Sequence, residues 1–152
     1  MSGWLLNEVV IVMKQEDKEL LLKDLCARLP YDVKVAFFNE DLTYHSEPKT
    51  LTGIECINNL NYSSLEDEDG NTTIVEFVKP YLFPLSSMTE EQEMEYDATF
   101  DTIVYEDGRK DSVMTYKSFD WLNKNHFDYR GLIKKGLAID ATGLNIYKEE
   151  TK

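Results

Sequence analysis

One stretch near the C-terminus, residues 121–133, brings several side chains with binding chemistry together. An indole, an imidazole, a phenyl ring, a carboxylate, a phenol and a guanidinium occur within residues 121–130. A guanidinium holds phosphates and carboxylates in a planar fork, and aromatic rings stack on planar ligands. The sequence therefore predicts a ligand-binding site formed by Trp121, His126, Phe127, Asp128, Tyr129 and Arg130.

Two other interpretations of this stretch are open. In the first, its aromatic side chains belong to the core, and Asp128 and Arg130 form a local ion pair that closes a turn. In the second, His126 and Asp128 act as general acid and base on a phosphorylated or glycosidic substrate. The residue types alone do not separate these interpretations from a binding site.

No recognisable catalytic or nucleotide-binding motif accompanies the stretch. The chain lacks a Gly-rich phosphate loop, a dinucleotide fingerprint, and the zinc-protease and nucleophile-elbow patterns. Its two histidines, His45 and His126, are too few for a His-rich metal site. The sequence therefore predicts a non-enzymatic protein with no metal site and no cofactor.

Acidic residues dominate the charge and are unevenly placed. The formal net charge is −13, from 29 acids and 16 bases. Residues 90–111 hold nine acids and two bases, a net charge of −7. Because DNA binding requires clustered Lys and Arg, no direct binding of duplex DNA is expected. The acids favour solubility. Their bunching at 66–69 and 90–97 also permits a sharper hypothesis, mimicry of a nucleic acid at a basic site of another protein.

Length and composition predict one α+β domain, with a small, mostly antiparallel sheet packed with an N-terminal amphipathic helix and short C-terminal helices. A chain of 152 residues, 42% of them hydrophobic, can bury a core without a disulfide or a metal. The domain is assigned to residues 14–147, an N-terminal extension or first strand to 1–13, and a tail to 148–152. Residues 1–12 are apolar but lack signal-peptide features and are too short to span a bilayer. A cytoplasmic protein without membrane contact is expected.

An amphipathic helix over residues 17–29 is the clearest local element. Apolar residues recur on one face at helical spacing, and Pro30 ends the helix. Cys26 lies on that face, and Cys56 lies in a strand-like run. Both cysteines are expected to be small buried hydrophobic residues, and so low a cysteine content fits a reducing compartment.

Strand-like runs predict the sheet. They are residues 32–38, 42–45, 50–57 and 72–78. Residues 66–71 are predicted as a loop with a turn at Asp69-Gly70. Pro80 and Pro84 are expected to prevent regular structure between them.

The C-terminal half is predicted to contain two short helices and a hairpin. Residues 89–92 have the form of a capping box that begins a helix. Asp107-Gly108 marks the turn of a hairpin. Ser118 is expected to cap a second helix that extends to Asn125.

Four blocks of sequence, at residues 20–31, 79–91, 121–133 and 136–139, stand out as a set. In content and order they resemble an uncharacterised family of small proteins from gut anaerobic bacteria and their phages and prophages. The resemblance covers roughly residues 20–147. Members of that family begin near the first block, which sets residues 1–12 apart from the shared fold. No assigned activity comes with the resemblance.

A phage setting without catalytic motifs favours a protein that binds and disables a component of the host. The leading hypothesis is a non-enzymatic accessory protein, a counter-defence factor that sequesters a host protein or a small nucleotide-derived signal at the predicted site. The first alternative is the acidic nucleic-acid mimic, which would block a DNA-binding host protein. The second is a structural protein of the virion. Homo-oligomerisation is left open by the sequence.

Overall fold

Three α-helices and nine β-strands make up the part of the chain that the computed structural model describes, residues 13–57 and 62–147. The helices are α1 (Gln15–Arg28), α2 (Glu90–Asp97) and α3 (Tyr116–Lys124). The strands are β1 (Lys34–Phe37), β2 (Lys49–Ile57), β3 (Tyr62–Asp67), β4 (Thr72–Thr73), β5 (Val78–Pro84), β6 (Asp101–Val104), β7 (Lys110–Val113), β8 (Phe127–Asp128) and β9 (Ile139–Asp140). The α+β class is confirmed.

Seven of the described strands form one sheet in the order β9–β5–β1–β2–β3–β4, with β8 also paired to β5. The strands from β5 through β1 to β4 pair antiparallel, as predicted, whereas β8 and β9 run parallel to β5. Phe127 lies opposite Phe83, and Ile139 lies opposite Tyr81. Two separate segments of the C-terminal third therefore complete the sheet along a single strand.

Strand β5 corrects the prediction that its prolines prevent regular structure. Pro80 lies within the strand opposite Val35 of β1, and Pro84 is its last residue. A proline removes only its own N–H donor, so it is tolerated where a neighbouring strand does not need that donor. Tyr81 and Leu82, between the prolines, are buried. This segment is a core strand.

Helix α1 supplies the apolar layer that covers the sheet. Leu21, Leu22 and Leu25 are buried against side chains of β1, β2, β3 and β5. Met13, just before the helix, also packs against this core. The predicted amphipathic helix is thereby confirmed. The remainder of the predicted N-terminal extension and the predicted tail lie outside the described residues.

The prediction that both cysteines are buried is wrong. Cys26 and Cys56 are exposed and line the same shallow depression of about 400 Å³. Position 26 follows Leu25 by one residue, which turns it about 100° away around the helix, to the margin of the apolar face. Partial desolvation, with a smaller effect of Cys56, raises the pKa of the Cys26 thiol. The thiol therefore stays protonated at neutral pH.

Several local elements differ from their predicted bounds. The run predicted over 72–78 is divided into β4, a short 3-10 helix at Val75–Phe77, and the start of β5. Strand β3 extends into the predicted loop, which leaves the turn at Asp69-Gly70. In the run at 42–45 only His45 pairs, in a single bridge to Phe38. The length of a strand cannot be predicted from a short β-prone run, because strand pairing depends on a partner strand that is distant in sequence.

Both short helices begin with a capping box. Thr89 accepts from the backbone N–H of Gln92, whose side chain accepts from the N–H of Thr89, as the sequence predicts. For α3 the cap is Thr115 rather than the predicted Ser118. Ser118 is instead the third residue of the helix, and its hydroxyl accepts from the backbone N–H of Thr115.

Residues 89–115, here called the helix–hairpin segment, contain α2 and a separate hairpin. Strands β6 and β7 pair antiparallel with each other around the predicted turn, and within the described chain they pair with no other strand. Helix α2 buries none of its residues. The segment is attached through Thr99, whose carbonyl accepts from the hydroxyl of Ser118 in α3, and Tyr96, whose ring packs on Trp121.

Candidate functional site

The side chain of Arg28, at the end of α1, is fully buried under the predicted binding stretch. Its Nε donates to Oδ2 of Asp24 at 2.8 Å, and Asp24 is fully buried as well. Its Nη2 donates to the carbonyl of Phe127 at 2.7 Å, and its Nη1 to that of Leu122 at 3.4 Å. This guanidinium therefore fixes α1 against α3 and β8. Nothing in the local sequence distinguishes Arg28 from a surface residue.

Arg130 belongs to the same network. Its Nη1 donates to Oδ1 of Asp24 at 3.1 Å, and its guanidinium lies 4.6 Å from the ring centre of Tyr129. The local ion pair with Asp128, considered from the sequence, is wrong. Both carboxylate oxygens of Asp128 instead accept from the backbone, at Leu132 and Ile133, each at 2.9 Å. Arg130 and Asp128 are thus both engaged inside the protein.

The aromatic residues of the predicted site pack on one another. The rings of Trp121 and Phe127 are stacked with centres 5.5 Å apart, and Phe127 is buried. The indole N–H of Trp121 donates to Glu95, and the hydroxyl of Tyr129 donates to Asn123. These side chains position the end of α3.

His126 is the predicted site residue with unused hydrogen-bonding capacity. It is 8% exposed, and its Nδ1 has no partner among the described residues. Its ring stacks on Tyr147 with centres 3.8 Å apart. Burial, and to a smaller extent the positive charge of Arg28, lower the pKa of His126 to about 3. The ring is therefore neutral at physiological pH, and its buried nitrogen is costly unless a ligand or water pairs with it.

His126 opens onto a cleft of about 850 Å³, here called the His126 cleft. Of the six residues of the predicted site, His126 is the one that lines it. The other lining residues that matter here are Lys34, Glu68, Lys124, Asn125 and Tyr147. Three of these come from β1, the β3–β4 turn and the end of the described chain, so sequence proximity gave no signal for them.

Internal contacts make one side of the cleft rigid. The Nζ of Lys34 donates to Thr50 at 2.7 Å and lies 3.9 Å from Glu68. Glu68 accepts from the backbone N–H of Thr50, which lowers the pKa of its carboxyl group. The hydroxyl of Tyr147 accepts from the N–H of Lys34 and donates to the carbonyl of Tyr81. Burial raises the pKa of that hydroxyl, so it remains a neutral hydrogen-bonding group.

The cleft therefore offers a polar lining with both signs of charge. Lys34 and Lys124 provide ammonium groups, and Asp32 and Glu68 provide carboxylates. Lys124 is exposed at the end of α3 and makes no ion pair within the described residues. Such a lining suits a ligand that carries anionic groups together with hydrogen-bond donors.

In residues 13–57 and 62–147, no group of three or more His, Cys, Asp and Glu side chains is placed to hold a metal ion. Over the same residues, no helix is long and apolar enough to cross a membrane. No protein-family model matches the chain, and comparison with curated proteins and with solved structures returns no match.

Proposed function

We propose that this chain is a non-enzymatic binding protein that holds a small nucleotide-derived molecule in the His126 cleft. The observation that carries the proposal is a buried, neutral histidine whose Nδ1 lacks a protein partner and which lines a cleft of about 850 Å³. That volume lies within the range of ordinary small-molecule sites, about 300–1,000 Å³.

The side chains around the cleft match the parts of a nucleotide. Phosphate groups pair with ammonium groups, which Lys34 and Lys124 supply. Amino and imino groups of a base donate to carboxylates, which Asp32 and Glu68 supply. The imidazole ring of His126, which lines the cleft, then contacts the ligand. Because the rings of Trp121, Phe127 and Tyr129 are used internally, recognition in this proposal depends on polar contacts rather than on base stacking.

The biological setting of the proposal follows the sequence blocks that resemble phage and prophage proteins. In that setting the protein acts in the cytoplasm of a bacterial host as a counter-defence factor, and its ligand is a signal made by the host. The virion alternative differs in one readout, because a structural protein is present in purified particles and a sequestering protein is not.

Native mass spectrometry of the protein isolated from infected host cells tests the proposal first. A bound mass of a few hundred daltons is expected. The identified nucleotide, or a panel of mono-, di- and cyclic nucleotides, is then titrated by calorimetry. The variant Lys124→Ala is expected to weaken binding about tenfold, which is the effect of losing one charge-assisted contact of about 1.4 kcal/mol.

Two further variants make the test specific. Lys117→Ala removes an exposed lysine from the first turn of the same helix α3, away from the cleft, and should bind like the wild type. His126→Asn suits the backbone, because His126 has a φ of 63° and asparagine tolerates that region. It should also weaken binding. Equal affinity of all three variants, or no bound nucleotide in either experiment, would contradict the proposal.

A further inference from the structure

We propose that the helix–hairpin segment is a docking surface for a protein partner whose contact surface is apolar at its centre and basic around it. This inference is independent of the His126 cleft. Its first support is the hairpin itself. Every residue of β6 is exposed, and so are three of the four residues of β7. An isolated two-stranded hairpin is only marginally stable in water, so binding of a partner would stabilise this hairpin.

The second support is the concentration of exposed apolar side chains. Single exposed hydrophobic residues are normal on protein surfaces, but groups of them mark interaction sites. Of the nine large hydrophobic residues that are exposed in the described chain, six lie within residues 94–119. Met94, Ile103, Val104 and Met114 belong to the segment, and Tyr116 and Phe119 follow it in α3. The side chain of Val104 is 62% exposed, and that of Met94 is 72% exposed.

The third support is charge complementarity. The segment holds nine acids and two bases over residues 90–111. Within the described chain, Arg109–Asp107 is the ion pair found here, and both side chains are well exposed. The five acids of α2 are exposed and make no ion pair within the same residues. A partner with basic residues around its contact surface would neutralise them and be steered towards them.

The same charge excludes other occupants of this face. Nucleic acids and anionic membranes are repelled by a net charge of −7, and so is the same face of a second copy of the chain. The other acidic cluster does not extend the surface, because three of its four acids, Asp67, Glu68 and Asp69, are engaged in internal contacts. Asp67 is buried and accepts from Asp69 and Asn71, while Lys49 pairs with Asp69 at 2.8 Å.

Apolar contacts distinguish this proposal from nucleic-acid mimicry. A mimic binds through charge alone, so its affinity falls steeply with salt and is indifferent to Ile103 and Val104. Ile103 and Val104 are adjacent in β6 and therefore face opposite sides of the hairpin. A partner docked on either side buries one of them, which contributes about 1.5–3 kcal/mol when fully buried. The two mechanisms therefore respond differently to the same substitutions.

Two synthetic peptides of 18 residues and equal charge serve as probes. One is an amphipathic helix with a leucine face and a lysine face, and the other has serine in place of leucine. The protein is expected to bind the first at least tenfold more tightly. The double variant Ile103→Ser with Val104→Ser should lose that preference. The control Leu144→Ser, at a residue 50% exposed outside the segment, should keep it.

The outcomes are decisive because both substituted positions are exposed, so circular dichroism and the melting temperature should match the wild type. Equal affinity for the two peptides would show that binding depends on charge alone, which would contradict the proposal and favour nucleic-acid mimicry. Binding of neither peptide, or an unchanged preference in the double variant, would overturn it. Lys124→Ala, which tests the His126 cleft, should leave peptide binding unaltered, so failure of one proposal is distinguishable from failure of the other.

Discussion

Arg28 and Arg109 each pair with an aspartate, and the two pairs belong to different regions. The Arg28–Asp24 pair has both side chains fully buried at 2.8 Å, and backbone carbonyls complete it. The Arg109–Asp107 pair is 3.6 Å long, and its side chains are 60% and 67% exposed. The first connects helices and strands distant in sequence, whereas the second closes a turn of the hairpin.

The difference shows how the two regions use polar groups. Among the described residues outside the helix–hairpin segment, the buried side-chain nitrogen and oxygen atoms have hydrogen-bond partners, with the Nδ1 of His126 as the exception. In the helix–hairpin segment, water solvates the charges, and they contribute little to stability. The proposed ligand site is therefore a single cleft, and the proposed docking site is an open surface.

Replacement of Asp24 should give the largest effect. Asp24→Ala leaves the charge of Arg28 buried without its carboxylate, and breaking a buried pair in this way costs about 3–5 kcal/mol. The matched change in the other region is Asp107→Ala, for which no measurable loss is expected. Urea unfolding of the two variants checks the comparison. Similar stabilities would mean that water reaches Arg28, and the contrast between the regions would be lost.

The pH dependence of stability should come next in size. His126 has a folded-state pKa of about 3 against an unfolded value near 6.5. Between these values the unfolded chain binds a proton that the folded chain excludes, so stability falls as pH decreases. The expected loss attributable to His126 is about 2 kcal/mol between pH 7 and pH 5.

Carboxylates also titrate at the acidic end of this window, so a reference variant is needed. His126→Asn lacks the titrating group and tolerates the positive φ. Its stability should fall less between pH 7 and pH 5, and the difference between the two proteins isolates the histidine. Parallel pH profiles would show that His126 is hydrated and titrates normally in the folded protein.

The smallest effect is expected at the cap of α2. Thr89→Ala removes the hydroxyl that accepts from Gln92, and lost caps cost about 1 kcal/mol. Because α2 buries no residue, the loss should appear as faster amide hydrogen exchange within Glu90–Asp97 and leave β5 unaffected. Thr102→Ala, at an exposed strand position, is the control. A global loss of stability would indicate that the segment is coupled to the core.

Features that depend on neighbouring residues could be predicted from the sequence. The period of the leucines places α1, the pattern at residues 89–92 gives the cap of α2, and Asp107-Gly108 gives the hairpin turn. The sheet class followed from β-prone runs. The strand character of β5 could not be predicted, because its local signals were two prolines and its pairing partners are distant.

The candidate site was predictable only at one residue. His126 was expected from its type and its neighbours, and it lines the cleft. Lys34 and Tyr147 were missed, because they meet His126 only after β1 and the segment that ends at Tyr147 have packed against β5. Arg130 is held by Asp24, which lies 106 residues earlier in the chain, and no local sequence pattern predicts such a pair.

The carbonyl partners of Arg28 lie 94 and 99 residues further along the chain. During synthesis on the ribosome, α1 emerges long before these partners exist, and Asp24 on the same helix is the acid available to its guanidinium at that stage. Strand β5 likewise cannot pair with β8 and β9 until those strands have been translated. We therefore expect the nascent chain not to complete its native fold until its C-terminal third has been translated. Folding is then expected to be slow, because contacts between residues distant in sequence delay folding. Chains terminated before β5 would retain an exposed leucine face on α1, because the strands that cover it would be incomplete.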